Sequence, residues 1–441
     1  MRILWLKSDL LLPLDKGGKL RTWHLMRHLA RRHQITYLAF AAPQPAPGDI
    51  DGMRDVASRV LTIPRSDPPK GSPRFLVDAA LHLLDPLPYA VGKYRSRRFA
   101  VTLRKLLADE TFDLLVCDFI FPTVNLPRTL PCPAVLFTHN VESEIWRRHA
   151  DIRTGLVDRA LCRWQYRRML RYEERTLRRF DGVLAVSDTD RDTLTRIYPG
   201  AIRRPIHVVP TGVDVGYFSA APSDPNSRRL VFTGSMDWLP NEDAMLFFCR
   251  EVWPLVQARE PRATLAIVGR EPTPSVRRLA GDAVQVTGRV DDVRPFVREA
   301  AAYIVPLRIG GGTRLKIFEA MAMGKAVVST TVGAEGLPVT SGRHVILADE
   351  PRSFARAIVR LLRDGTRRRE LEAAARQLVA EHHDWSTVAG DLESALLSFT
   401  AQKGARCESQ FSDSAMSAPC RRRHSRPTAI TSSASTSTTI K

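Results

Sequence analysis

The 441-residue chain contains no run of about eighteen apolar residues, which excludes a transmembrane helix. The apolar stretch behind Met1 stops at Lys7, too short for a signal peptide. Cysteine is sparse: the six residues at 117, 132, 162, 249, 407 and 420 form no CxxC pair, so neither a disulfide framework nor a zinc knuckle is indicated. A cytoplasmic protein is expected. Paired acidic clusters that could hold magnesium are missing. His24 and His28 stand at i, i+4 without a third ligand, and no metal or other cofactor is expected. Neither a helix-turn-helix nor an aromatic RNA-binding strand motif is evident, so a nucleic-acid partner is not expected. Lysine is also scarce, supplying only 10 of the 66 basic residues in a chain of net charge +19.

What is present is an ordinary globular composition, 44% hydrophobic and 26% charged, in a chain long enough for two domains. Short β-branched runs alternate with helical patterns. In the first half strands are expected over 2–7, 35–40, 60–63, 113–119, 134–139, 182–187 and 207–210, with helices near 18–32, 94–109, 142–180 and 188–197. In the second half strands are expected over 229–233, 264–268, 284–287, 302–306, 326–329 and 344–347, with helices near 240–258, 292–300, 313–323 and 353–382. Such alternation builds parallel sheets covered by helices on both faces. The expected fold class is α/β with two Rossmann-like doubly wound domains facing a cleft. The first is expected over 1–210 and the second over 211–384, with a hinge near 210–225. Residues 385–400 form a closing helix, and 401–441 read as a disordered basic tail poor in large apolar residues. Ligands of doubly wound sheets bind beyond the carboxyl ends of the strands, so chemistry is expected there.

The richest segment is Arg308-Ile309-Gly310-Gly311-Gly312-Thr313-Arg314-Leu315-Lys316-Ile317-Phe318-Glu319. It follows an expected strand and opens a helix from a glycine triplet. Backbone amides of Gly311 and Gly312, with Thr313, can approach an anion closely at a helix start. Arg314 and Lys316 fall in the first helical turn, where the helix dipole disfavours cations. Lys316 before Glu319 is the poorer order for a helical ion pair. Local choices that cost stability beside a glycine loop point to function. In the first half, Gly17 and Gly18 open a helix after the first strand, and His139 follows the strand at 134–138.

The stretch Gly311–Gly324 followed by Ala326-Val327-Val328-Ser329 resembles the C-terminal signature of family-4 glycosyltransferases, the retaining group with the GT-B fold. Gly17-Gly18, Thr138-His139-Asn140, Val209–Asp214 and Phe232-Thr233-Gly234 fit as well, and the resemblance covers about residues 1–400. Thr138–Glu142 together with Gly312–Lys316 is similar to sugar transferases of exopolysaccharide loci linked to exosortase systems. The resemblance implies a transferase acting on a nucleotide-sugar donor and a glycan or lipid-linked acceptor, without metal. Glu319 would hold the nucleotide ribose, since a carboxylate accepts two hydrogen bonds from a vicinal diol. His139 would contact the donor sugar. The glycines 17, 18, 234, 311 and 312 with Thr313 would line the nucleotide-sugar site. Two positions depart from the family pattern. Gly311 stands where a second glutamate is usual, and the loop after Gly234 lacks the arginine and lysine that commonly meet the diphosphate. Arg314 and Lys316 are expected to supply that charge. Another GT-B enzyme such as a sugar-nucleotide epimerase is the alternative, as is a non-catalytic binding protein.

Residues 147–179 hold eleven arginines against four acidic residues, with Trp164, Tyr166, Met169, Leu170 and Tyr172 interspersed. An arginine-rich helix with aromatics can lie on anionic lipid, and peripheral contact with the inner face of the plasma membrane would suit a lipid-linked acceptor.

Overall fold

The computed structural model describes residues 1–415 except 16, 67, 69–71, 74–76, 78–81, 83–84, 153–154, 221–223 and 310–314. Among the described residues two all-parallel sheets form. The first contains β1 (Arg2–Lys7), β2 (Gln34–Ala41), β3 (Arg59–Pro64), β4 (Leu114–Asp118), β5 (Ala134–Phe137), β6 (Gly182–Ala185) and β7 (His207–Val208) in the order 3-2-1-4-5-6-7. The second contains β8 (Arg229–Thr233), β9 (Thr264–Val268), β10 (Val284–Gly288), β11 (Ala302–Val305), β12 (Ala326–Ser329) and β13 (Ile346–Leu347) in the order 10-9-8-11-12-13. Strands such as Ile3-Leu4-Trp5-Leu6 and Ala302-Tyr303-Ile304-Val305 are buried along their whole length, as expected of strands covered on both faces.

The order reverses between β1 and β4 in one sheet and between β8 and β11 in the other. In doubly wound sheets that reversal opens a crevice at the carboxyl ends. Lys7 and Asp118 end the first pair of strands, and Gly234 follows β8.

Three long helical patterns divide. The segment expected as one helix over 142–180 is two, Glu142–Ile152 and Leu156–Leu177. The 353–382 pattern breaks at Asp364, whose carboxylate accepts the Arg367 amide at 2.9 Å and caps a fresh helix, Gly365–His382. Between Leu239–Phe247 and Trp253–Gln257 lies a π-helical turn, Phe248–Val252, just ahead of Pro254, which brings no amide donor.

The two sheets are joined twice. The first crossover runs through 209–214 and the second through 383–385. They bond to each other, with the Val213 amide donating to His383 O (2.7 Å) and the Trp385 amide to Val213 O (3.3 Å). The closing helix, Trp385–Ala415, places Trp385, Val388, Leu392, Leu396 and Phe399 in the same apolar cluster as Ile3, Trp5, Val135 and Phe137 of the first sheet. Met1–Thr400 is one compact unit. The segment read as a disordered tail begins helical, through Ala415, and 416–441, with its Arg421-Arg422-Arg423 run, lies outside the described residues.

Candidate active site

At the carboxyl end of the first sheet, Asp118 is fully buried and collects four donors. Trp5 Nε1 donates at 3.1 Å, Lys7 Nζ at 2.9 Å and Thr22 Oγ1 at 2.6 Å, while His139 Nε2 lies 2.6 Å from its other oxygen. Burial pushes the Asp118 carboxyl up, but Lys7, His139 and Thr22 outweigh it and hold it far below the usual carboxylate range. Because Asp118 stays ionised, His139 Nε2 must carry the proton, which leaves Nδ1 as an acceptor. Burial also drives the His139 imidazole down to about 4 despite Asp118, so the ring is neutral at physiological pH. It stacks on Phe119 with centroids 4.1 Å apart. Phe119 has φ +80°, a strained conformation for a bulky residue of the sort that clusters at functional sites.

Gly17 and Gly18 open the Gly17–Leu29 helix beside this cluster. A Cβ on Gly18 would come within 3.8 Å of His139 Nδ1 and 3.7 Å of Phe119. One on Gly17 would sit 3.2 Å from Leu315 of the second sheet's domain. The Gly17–Gly18 turn is therefore where the two halves of the cleft meet. Next to it, a cavity of about 300 Å³ at the ends of β1 and β2 is lined by Ser8, Asp9, Lys19, Gln44, Asp49 and Arg65 among others.

On the second side, the Leu315–Ala322 helix presents Lys316 and Glu319. Lys316 Nζ donates to Asn241 Oδ1 at 3.0 Å and lies 4.2 Å from the centre of the Phe232 ring. A Cβ on Gly234 would be 2.7 Å from Lys316 Nζ, so the glycine leaves the ammonium room at the end of β8. Buried Asn241 donates in turn to Ser235 O at 2.8 Å, which fixes the loop. Glu319 is half-buried and has no hydrogen-bond partner among the described residues. Burial pushes its carboxyl up to about 7, with Lys316 opposing. Gly311, Gly312, Thr313 and Arg314 lie outside the described residues.

Several residues of the site were not among those singled out in the sequence. Arg270 follows β9 and donates from Nε to Ser235 Oγ at 2.8 Å, bringing a cation beside the loop that follows Gly234. Gly269, φ +155°, allows this, since a Cβ there would collide with Gly234 O at 1.7 Å. Asn241, Asp118, Lys7 and Thr22 also lacked a local sign. Asp118 meets Lys7 and Thr22 only when β1 and β4 become neighbours, and Asn241 meets Lys316 from 75 positions away in the second half. His24, considered above as half of a metal pair, instead stacks on Trp385 with centroids 5.0 Å apart.

Two family profiles match the chain. One is described as Glycosyltransferase Family 4 over residues 16–217, the other as Glycosyl transferases group 1 over residues 227–364. A phosphatidyl-myo-inositol mannosyltransferase of Mycolicibacterium smegmatis is 27% identical over 355 residues, 77% of this chain and 85% of that protein. An alpha-maltose-1-phosphate synthase of the same organism is 27% identical over 47% of this chain and 61% of its own length. Among solved structures, Anabaena HepE in complex with UDP superposes with a TM-score of 0.63 at 15% identity, over 90% of this chain and 100% of that one. Sucrose-phosphate synthase from Thermosynechococcus elongatus gives 0.64 at 16% identity, over 91% and 100%. At such identities the structures speak for the fold.

Proposed function

Because this chain belongs to glycosyltransferase family 4 and has the two-domain GT-B fold, we propose that it is a retaining enzyme that moves a sugar from a nucleotide-sugar donor to a glycan or lipid-linked acceptor in exopolysaccharide biosynthesis. The observation that carries this reading is the convergence of Lys316 on the Gly234–Asn241 loop, with the carboxylate of Glu319, which has no hydrogen-bond partner among the described residues, one turn further along the same helix. An ammonium and a carboxylate so spaced suit the two ends of a nucleoside diphosphate. Glu319 accepts the ribose diol, and Lys316 faces the diphosphate, helped by Arg270 and by Arg314 from the sequence pattern. A solved relative in fold, Anabaena HepE, is in complex with UDP, which supports a nucleoside diphosphate as the ligand class.

As the glycosidic bond breaks, negative charge grows on the leaving diphosphate, and fixed cations beside it lower the barrier without a metal. The sugar faces His139, whose ring is fixed by Asp118. Asp118 has its oxygens committed to four donors and no exposure, so it orients the imidazole rather than attacking the anomeric carbon. Retention then proceeds on one face of the sugar, with the acceptor entering from the cavity beside Ser8 and Asp9. Closure of the two domains excludes water that would hydrolyse the donor. The enzyme works in the cytoplasm, at the inner face of the plasma membrane when the acceptor is lipid-linked.

A thermal-shift panel of UDP, GDP, ADP, CDP and TDP on wild type and Glu319→Ala tests the reading. Stabilisation by one nucleotide that is lost in the variant is the expected result. No shift with any of them would overturn the donor assignment.

A further inference from the structure

The Leu156–Leu177 helix carries arginine at 159, 163, 167, 171 and 175, one turn apart along its whole length. All five are exposed, and among the described residues none has an ion-pair partner. The contrast with their neighbours is direct: Arg147 pairs with Glu144 and Asp151, and Arg178 with Glu174. Like charges at i, i+4 repel and cost the helix stability, so an uncompensated row of five lacks the usual local justification. Its inner part borders a cavity of about 520 Å³ lined by Trp164, Arg167, Arg168, Arg171, Tyr172 and Arg175, with the 86–87 turn opposite. Arg168 helps build that wall. Its guanidinium stacks 3.4 Å over Trp164, and Nη1 donates to the carbonyls of His82 and Leu87, each at 3.3 Å. Arg167, Arg171 and Arg175 stand beside it as three forks on one edge of the groove.

The start of the same helix is apolar and uncovered: Leu156 is 84% exposed, Val157 81% and Leu161 43%. Apolar side chains at one end and a row of guanidinium groups along the helix match the boundary between acyl chains and phosphates of a bilayer. The groove is also tied to the catalytic side. Tyr172 Oη shares a 2.7 Å hydrogen bond with Thr123 Oγ1, in the 121–125 turn whose Phe121 stacks on Phe119, the ring beneath His139.

We propose that this groove binds the headgroup phosphate of an anionic lipid, with Leu156 and Val157 seated in the headgroup layer. The groove thereby holds a lipid-linked acceptor against the His139 side of the cleft. The acceptor role rests on the transferase reading above, whereas the phosphate site does not. Arginine suits it through bidentate contact with phosphate oxygens.

The test uses the full chain with vesicles of phosphatidylcholine alone, of phosphatidylcholine with phosphatidic acid, and of phosphatidylcholine with an equal charge of oleate. Soluble glycerol 3-phosphate serves as the lipid-free arm. Wild type is expected to co-sediment best with the phosphatidic acid vesicles. Arg167→Gln/Arg171→Gln/Arg175→Gln is expected to lose on the order of a hundredfold in that affinity. Leu156→Ser/Val157→Ser should lose vesicle binding but keep any glycerol 3-phosphate binding, read from Trp164 fluorescence. Both variants must keep the wild-type nucleotide thermal shift, which separates failure here from failure of the donor reading. Equal binding to oleate vesicles, undiminished binding by the triple variant, or binding of glycerol 3-phosphate without any vesicle binding would each overturn the proposal.

Discussion

The rings of Phe318 and His383 stack with centroids 4.3 Å apart, joining the helix that carries Lys316 and Glu319 to the second crossover between the sheets. His383 Nδ1 also lies 3.3 Å from Thr211 O of the first crossover. One imidazole therefore contacts the donor helix and both connections. His383→Ala removes a stacked pair worth about 0.5–1.5 kcal/mol. It is expected to weaken nucleotide binding by several fold although His383 lies on the crossover rather than in the donor loop, and His383→Phe should restore most of the loss. Isothermal titration with the nucleotide selected by the panel checks this. Unchanged affinity in the alanine variant would separate the crossover from the donor site.

Glu319 gives a pH dependence with a definite sign. The carboxyl titrates near 7 in the free protein, and diol hydrogen bonds favour its ionised form. Nucleotide affinity should therefore rise as pH increases toward and through 7, by up to about tenfold per pH unit on the acid side. In Glu319→Gln the slope should vanish. Affinity measured at several pH values on both proteins decides it, and a slope that survives in Glu319→Gln refutes the assignment.

For Lys316, alanine substitution removes the ammonium aimed at the Gly234 loop. Loss of one preorganised donor of this kind costs about 10²–10³ in kcat. Gly234→Ala should act in the same direction, since its Cβ would press on Lys316 Nζ and Asn241 Nδ2, each at 2.7 Å. Turnover of the donor is the measurement, and intact turnover in Lys316→Ala would end the view that this lysine replaces the missing basic loop.

Asp118 and Lys7 form a pair whose side chains are 0% and 2% exposed. Asp118→Asn leaves the ammonium buried without its counter-charge, which costs about 3–5 kcal/mol. A lowered urea midpoint with unchanged m-value is expected. The same cluster makes the fold acid-sensitive. His139 titrates near 4 when folded against 6.5 unfolded, so the unfolded chain binds more protons and stability falls as pH drops across that interval. Asp118, also depressed, adds its loss below the ordinary carboxylate range. Glu142 works oppositely. Burial first, then Glu173, raises it to about 8, so its contribution declines as pH rises from 4.5 toward that value. In His139→Gln the loss between 6.5 and 4 should shrink, which urea titrations at a series of pH values would reveal.

Much of the architecture was legible because its signals are local. Buried strands such as Ala302–Val305 read as unbroken apolar runs. The helix breaks were harder. Asp364-Gly365 holds a cap inside an otherwise continuous apolar period, and the π turn before Pro254 preserves the hydrophobic face while shifting the ladder. The candidate site could be read in part where one segment carries it, since Lys316 and Glu319 share one helix and Lys316 reaches Asn241. Asn241, Arg270 and the Asp118 cluster depend on which strand ends become neighbours, and a carboxylate 111 positions from its lysine leaves no local trace.

The return of the closing helix to the first sheet has a consequence for how the protein is made. A ribosome finishes β7 long before it reaches Trp385, and the interval is on the order of ten seconds or more at ordinary elongation rates. Throughout that time the face bearing Ile3, Trp5, Val135 and Phe137 lacks the ridge of Val388, Leu392, Leu396 and Phe399 that completes its cluster. The half of the protein born first is thus the half sealed last, and a chain released early carries that open apolar face wherever it goes.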